Sequence, residues 1–336
     1  MKLLSCENPH NFQFHETSIP SLEDGHSLLQ IKRIGVCGTD IHAFEGTQPY
    51  FNYPRVLGHE LAAEIVETTS DNLKVGEYVT VMPYKSCGKC VACKRGKNNC
   101  CVSMQVLGVH IDGGMAEYIT VPNDLIIKGQ GLELDELALV EPFAISAHAI
   151  ARADLQKDDF ILVVGAGPIG LGLVEFGRIT GAIVIVMDVN KERLAFCKGK
   201  LEVKHTIHIG TDDPYERLKE ITNGDMPTAI FDATGNLNAI EQSLEYLAHS
   251  GTYVLVGIQK ERFSLSHPEF HKRESTLMSS RNATKLDFDF VMESIKNKKI
   301  NPLLFITHRI PFEEVIERFS IFNTPSENVI KAVIEL

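Results

Sequence analysis

Phe160-Ile-Leu-Val-Val-Gly-Ala-Gly-Pro-Ile-Gly170 runs an apolar strand into a glycine-rich turn, and a helical pattern follows directly. Gly165, Gly167 and Gly170 stand in the G-x-G-x-x-G spacing. These glycines permit the tight turn, close backbone approach to a pyrophosphate, and close packing of helix on strand. The N–H groups at the start of the helix, around Pro168 and Ile169, are free to meet phosphate oxygens. A second apolar strand, Ile183–Met187, ends at Asp188, about twenty residues downstream, as a dinucleotide fingerprint requires. A carboxylate there accepts from both ribose hydroxyls and repels a 2′-phosphate, so NAD is expected rather than NADP. Arg193, one helical turn on, is expected to flank the adenosine. Val256 and Gly257, at the end of a later apolar run, complete the expected cofactor-binding set.

Outward from this stretch, apolar strands alternate with helical patterns. Ile169–Thr180, Lys191–Lys198 and Ala239–Ala248 read as helices, and Thr228–Asp232, Thr252–Val256 and Thr276–Ser279 as strands. Such alternation predicts a doubly wound parallel sheet. Before Pro142 the texture differs. Short β-like segments (Ile31–Val36, Ala62–Glu67, Tyr78–Met82, Ala116–Val121) are broken by Gly, Pro and Asn, which predicts an irregular β-rich domain. After Arg281 helices precede a strand-like Val329–Ile334, a tail too small to stand alone and expected to return to the first domain. The fold class is therefore α/β: a β-rich domain from residues 1–141 and 282–336, and a Rossmann domain from 142–281. A length of 336 residues suits two domains. The net charge of −11 argues against a nucleic-acid binder, which wants a basic surface. No apolar run is long enough for a membrane span, and residues 1–20 hold no signal-peptide core, so a cytoplasmic protein is expected.

Cys87, Cys90, Cys93 and Cys101 fall in a C-x2-C-x2-C-x7-C pattern within a lobe spanning about residues 83–105. Four thiolates so spaced can close a tetrahedron around one Zn²⁺, the arrangement of a structural site. The residues between them (Gly, Lys, Asn, Arg) build no apolar core, so the lobe needs a metal to hold it. Cys100, beside Cys101, is the alternative fourth ligand. Two further motifs precede the lobe, Cys37-Gly-Thr39-Asp40-Ile-His42 and Gly58-His59-Glu60, and Glu141-Pro142 follows it. Each carries a residue type that binds zinc.

The order of these motifs resembles the zinc-dependent medium-chain dehydrogenase/reductase superfamily along essentially the whole chain. Glu60 after His59, and Glu141 in place of a cysteine, put it nearer the sorbitol and threonine dehydrogenases than the alcohol dehydrogenases with a Cys2His site. Tyr53-Pro-Arg-Val-Leu-Gly-His-Glu60, Gly108-Val-His-Ile-Asp-Gly-Gly114, Glu141-Pro-Phe-Ala-Ile-Ser-Ala-His148 and Ser280-Arg-Asn-Ala-Thr284 resemble the bacterial L-galactonate and L-gulonate 5-dehydrogenases. The likeness implies a GroES-like catalytic domain beside the Rossmann domain, two zinc ions per chain, NAD, and a homodimer or homotetramer. It implies Cys37, His59 and Glu60 as ligands of a catalytic zinc, with Glu141 bound directly or through water. Thr39 would pass a proton toward His42, and Asp40 would fix the ring of His59. The substrate would be a small sugar acid or a polyol. Arg281, with Arg55 as second candidate, would hold its carboxylate, and His110 would line its pocket.

Overall fold

In the computed structural model, residues 1–48 and 51–336 are described. The chain divides into two units, Met1–Pro142 with Thr284–Leu336, and Phe143–Ala283.

The first unit is built on a seven-stranded sheet. Its path runs Ile126–Lys128, Tyr78–Val81, Glu60–Thr68, His26–Val36, Lys331–Glu335 and Ile306–Pro311, and Tyr118–Pro122 also pairs with His26–Val36. A smaller sheet joins Asn11–Glu16, Lys2–Asn8 and Arg55–Val56. Alternating side chains of both sheets bury one core, among them Leu4, Leu29, Ile31, Leu61, Val79 and Ile334. Phe12, Phe44 and Phe319 close its edge with ring centroids 4.9–5.2 Å apart.

The tail supplies two strands to this sheet. Lys331–Glu335 lies antiparallel to His26–Val36, with Ala332 opposite Val36, and parallel to Ile306–Pro311. Sequence reading found the first of these but not Ile306–Pro311, whose Thr, His and Arg interrupt any apolar run. Asp135 clamps the strands from a neighbouring helix, Leu134–Ala138. It accepts from Arg33 Nε at 3.0 Å and from Arg309 Nη1 and Nη2 at 3.1 and 2.5 Å.

The second unit is a six-stranded parallel sheet in the order His205–His208, Ile183–Asp188, Phe160–Val164, Ala229–Asp232, Thr252–Leu255, Thr276–Ser279. Numbered along the chain this is 3-2-1-4-5-6, the doubly wound order. Leu162, Val164, Ile185, Met187, Ile207 and Ile230 fill its core. The third expected helix is shorter than its apolar pattern, Leu237–Ser243 followed by a 3₁₀ turn, Leu244–Tyr246. Asn236 caps it by accepting from Ala239 N. Among the described residues no helix is long and apolar enough to cross a membrane.

Arg309 and Arg33 hold the Asp135 carboxyl below its ordinary range, the Arg309 hydrogen bond first. A depressed pKa contributes stability above the unfolded value, near 4, and loses it as pH falls through the folded value. Asp135→Asn should therefore cost about 1 kcal/mol at pH 7, since the pairs are partly exposed. Thermal midpoints compared at pH 7 and pH 4 should show the gap to wild type narrowing with acid; a gap independent of pH would remove the ion-pair explanation.

Candidate functional site

Strand His26–Val36 ends at Cys37, which starts the short helix Gly38–Phe44. Asp40 makes this junction rigid. Its Oδ2 accepts from Cys37 N at 2.9 Å, and its Oδ1 from Gly58 N at 3.2 Å, just before His59. Asp40 is wholly buried and staples the segment of Cys37 to the segment of His59 and Glu60. Its expected contact with His59 is not a hydrogen bond, because Oδ1 lies 3.7 Å from Nδ1. The backbone amides have taken the carboxylate.

Cys37, His59 and Glu60 converge, with one ligand atom of each within 4.8 Å of the others. His59 and Glu60 are buried, and Nδ1 of His59 has no hydrogen-bond partner. A thiol, an imidazole nitrogen and a carboxylate oxygen within 4.8 Å of one another are a donor set that fits a zinc ion. Electrostatics agree. Burial pushes the His59 imidazole toward neutrality, but Asp40, Cys37 and Glu141 outweigh it and hold the pKa well above the ordinary value. The cluster has a surplus of negative charge and retains a cation, if only a proton.

Two side chains that sequence reading passed over complete the site. Lys331, 3% exposed, points its ammonium at Glu60, with Nζ 2.6 Å from Oε1 and 2.8 Å from Oε2, and donates to the Val36 carbonyl at 3.1 Å. Tyr84, also buried, donates to Oε1 of Glu141. Glu141 stands outside the converging set of Cys37, His59 and Glu60. Burial first, then Glu60, push its carboxyl up to about 7, against the opposing pull of His59, Tyr84 and Lys331. A lysine in the apolar run Val329-Ile-Lys-Ala-Val-Ile334 was the available signal for Lys331. Tyr84 carried none.

His42 turns Nδ1 to Thr47 Oγ1 at 3.0 Å, and no hydrogen bond joins it to Thr39 among the described residues. Arg55 reaches Asp112 Oδ1 through Nη1 at 3.1 Å, while its Nε is buried and unpartnered. Nδ1 of exposed His110 accepts from Val106 N at 3.1 Å.

In the cysteine lobe, the sulfurs of Cys87, Cys90, Cys93 and Cys101 lie within 4.8 Å of one another, and all are free thiols. Cys101 is buried and Cys100 exposed, outside the set. Backbone N–H groups of Cys93 and Val102 bring the Cys90 thiol down to about 6. Burial and the neighbouring sulfurs push Cys93 up to about 11. Four thiols this close cannot all ionise without a cation among them, and Zn²⁺ matches that donor set.

In the second unit, Gly165 takes φ of +96° at the end of its strand, and a Cβ on Gly170 would meet the Gly165 carbonyl at 1.8 Å. The helix Pro168–Ile179 begins at Gly167. Asp188 already accepts from Ala166 N at 2.5 Å and Asn190 N at 2.7 Å, so it fixes the loop as well as offering its remaining lone pairs. Arg193 Nη1 donates to the Ala166 carbonyl at 3.1 Å. Val256 N and Gly257 N both donate to the Asp232 carbonyl at 2.9 Å. Arg281 is exposed, two residues beyond the last strand.

Residues 23–131 match the model of the alcohol dehydrogenase GroES-like domain, and residues 168–297 that of zinc-binding dehydrogenases. The chain is 41% identical to the L-galactonate-5-dehydrogenase of Escherichia coli K12, over 99% of this chain and 98% of that protein. It is 33% identical to a sorbitol dehydrogenase of Bacillus subtilis 168, over 78% of this chain and 76% of that one. A crystal structure of an alcohol dehydrogenase from E. coli CFT073, complexed with NADH, superposes with a TM-score of 0.94 at 31% identity, covering 100% of this chain and 99% of that one. With a GroES-like β-rich unit, a Rossmann unit and donor sets that suit zinc in both places expected from the sequence, the chain belongs to the zinc-binding alcohol dehydrogenase family.

Proposed function

We propose that this enzyme oxidises a secondary hydroxyl of a sugar acid with NAD, acting on L-galactonate or L-gulonate at C5. The observation that carries the reading is the 41% identity to an L-galactonate-5-dehydrogenase across nearly the full length of both chains. Oxidation of a neutral polyol is the second reading, favoured by the likeness to a sorbitol dehydrogenase.

Cys37, His59 and Glu60 would hold the catalytic zinc, whose Lewis acidity lowers the pKa of an alcohol hydroxyl toward neutrality. Asp40 fixes the spacing of Cys37 and His59 through the backbone amides of Cys37 and Gly58. Tyr84 holds Glu141 by one oxygen, and burial raises the pKa of that carboxyl to about 7. Gly165, Gly167 and Gly170 would let the loop backbone approach a pyrophosphate, whose charge the free N–H groups after Pro168 in the first turn of helix Pro168–Ile179 would meet. The nicotinamide carries the hydride chemistry, and the protein supplies orientation and charge. Cys87, Cys90, Cys93 and Cys101 would hold the second zinc as a closed structural site.

Metal analysis of purified chain should find two zinc ions. Cys37→Ser should abolish turnover while keeping the fold, whereas Cys93→Ser should destabilise the lobe, because a structural zinc contributes folding free energy. One zinc in fully active protein would overturn the two-site reading.

Asp188→Ser should raise KM for NAD and narrow the gap to NADP, since the carboxylate both accepts from the 2′-hydroxyl and repels a 2′-phosphate. A wild-type enzyme equally efficient with both cofactors would contradict this.

NADH formation across hexonates, pentitols and hexitols decides the substrate. If Arg281 grips a substrate carboxylate, Arg281→Ala should cost about 2–4 kcal/mol in kcat/KM for a hexonate and far less for a neutral polyol. The same comparison on Arg55→Ala tests the second candidate. Better turnover of sorbitol or xylitol than of every hexonate would hand the assignment to the polyol reading.

A further inference from the structure

Lys331 and Glu60 form a buried ion pair in the first unit, and Glu60 belongs also to the Cys37–His59–Glu60 set. Three donors of the ammonium have three acceptors: both Glu60 oxygens at 2.6 and 2.8 Å, and the Val36 carbonyl at 3.1 Å. Relative exposure is 0% for Glu60 and 3% for Lys331, so the protein, and not bulk water, must satisfy either charge. Gly35 faces Glu60 across the strand pair, and a Cβ there would lie 2.0 Å from Glu60 Oε2. Absence of that methyl opens the niche in which the carboxylate stands.

One carboxylate therefore has two claimants. It is bonded through both oxygens to an ammonium, yet an oxygen of the same group lies within 4.8 Å of Cys37 Sγ and a His59 ring nitrogen. A divalent ion coordinated by Cys37, His59 and Glu60 would draw charge density from the oxygens that now accept from Lys331. It would also place a second positive charge near the Lys331 ammonium. We propose that Lys331 competes with the metal for Glu60: in metal-free protein it is the counter-ion that keeps the site folded, and on metal binding the carboxylate is handed, in part or whole, from Nζ to the metal. Lys331 is on this view a positioning residue that sets metal affinity. This rests on the reading that Cys37, His59 and Glu60 hold a zinc ion.

The handover predicts a coupling between the lysine and zinc. Lys331→Met keeps the length of the side chain and removes the charge. In the full-length chain stripped of metal, it should lower the thermal midpoint, because Glu60 then lies buried without a partner. In zinc-loaded protein at least half of that loss should disappear. Chelator competition should find zinc at the Cys37 site bound at least tenfold tighter than in wild type, since no ion pair has to be broken. Should Lys331→Met not fold, Lys331→Gln, which retains a donor for the Val36 carbonyl, takes the same measurements. An equal loss of midpoint with and without zinc, or an affinity tightened less than tenfold, overturns the handover. A wild-type chain that binds a single zinc ion, with Cys37→Ser leaving the amount unchanged, overturns instead the underlying assignment of the metal site.

Discussion

A carboxylate wholly removed from water needs a cation against it, and Glu60 acquires one from the far end of the chain. Lys331 lies 271 residues away and reaches Glu60 only because Lys331–Glu335 docks beside His26–Val36. Removing one partner of such a pair typically costs about 3–5 kcal/mol, because the other charge is stranded. The tail is thereby required by the site and is not an ornament of the sheet. With Ala332 opposite Val36, Lys331 falls level with the Val36–Cys37 junction. Shifting that register by one residue would turn Lys331 to the opposite face and leave Glu60 without its counter-ion.

The same reasoning explains the charge state of the surroundings. Asp40, Cys37 and Glu141 bring acidic groups around a single imidazole and raise its pKa well above the ordinary value. In the cysteine lobe the response takes another form: the pKa of Cys87 and Cys90 is lowered and that of Cys93 raised. Both places are crowded with donors beyond what local hydrogen bonding satisfies. A metal ion is the economical remedy, supplying two positive charges where protons supply one at a time.

Legibility in the sequence followed contiguity. The strand–turn–helix of Phe160–Gly170, its distant Asp188 and the four-cysteine lobe each sit in short segments whose spacing encodes geometry, and the doubly wound sheet follows from repeated local patterns. Lys331 and Tyr84 were missed because their roles exist only across strand pairings, and neither residue type announces itself beside a carboxylate. Asp40 stands 3.7 Å from His59 Nδ1, on the side of the ring where it was expected, but its hydrogen bonds go to backbone amides. A carboxylate at a helix start has backbone N–H groups within reach, and two of them outcompete a ring nitrogen 3.7 Å away. Ile306–Pro311 escaped because an edge strand with Thr307, His308 and Arg309 on it has no apolar signature.

Electrostatics also frame the choice of substrate. A chain of net charge −11 with several acidic groups around its candidate metal site repels a carboxylate, so a sugar acid needs a dedicated cation. Lys331 cannot be that cation, since its donors are spent on Glu60 and Val36. Arg55 has one arm held by Asp112, an acid 66% exposed that both orients the guanidinium and dilutes its charge. Its buried Nε remains uncommitted. A neutral polyol would meet none of this repulsion and would need no such arginine. A sugar-acid dehydrogenase and a polyol dehydrogenase on this scaffold then differ in whether a guanidinium is placed to take a carboxylate.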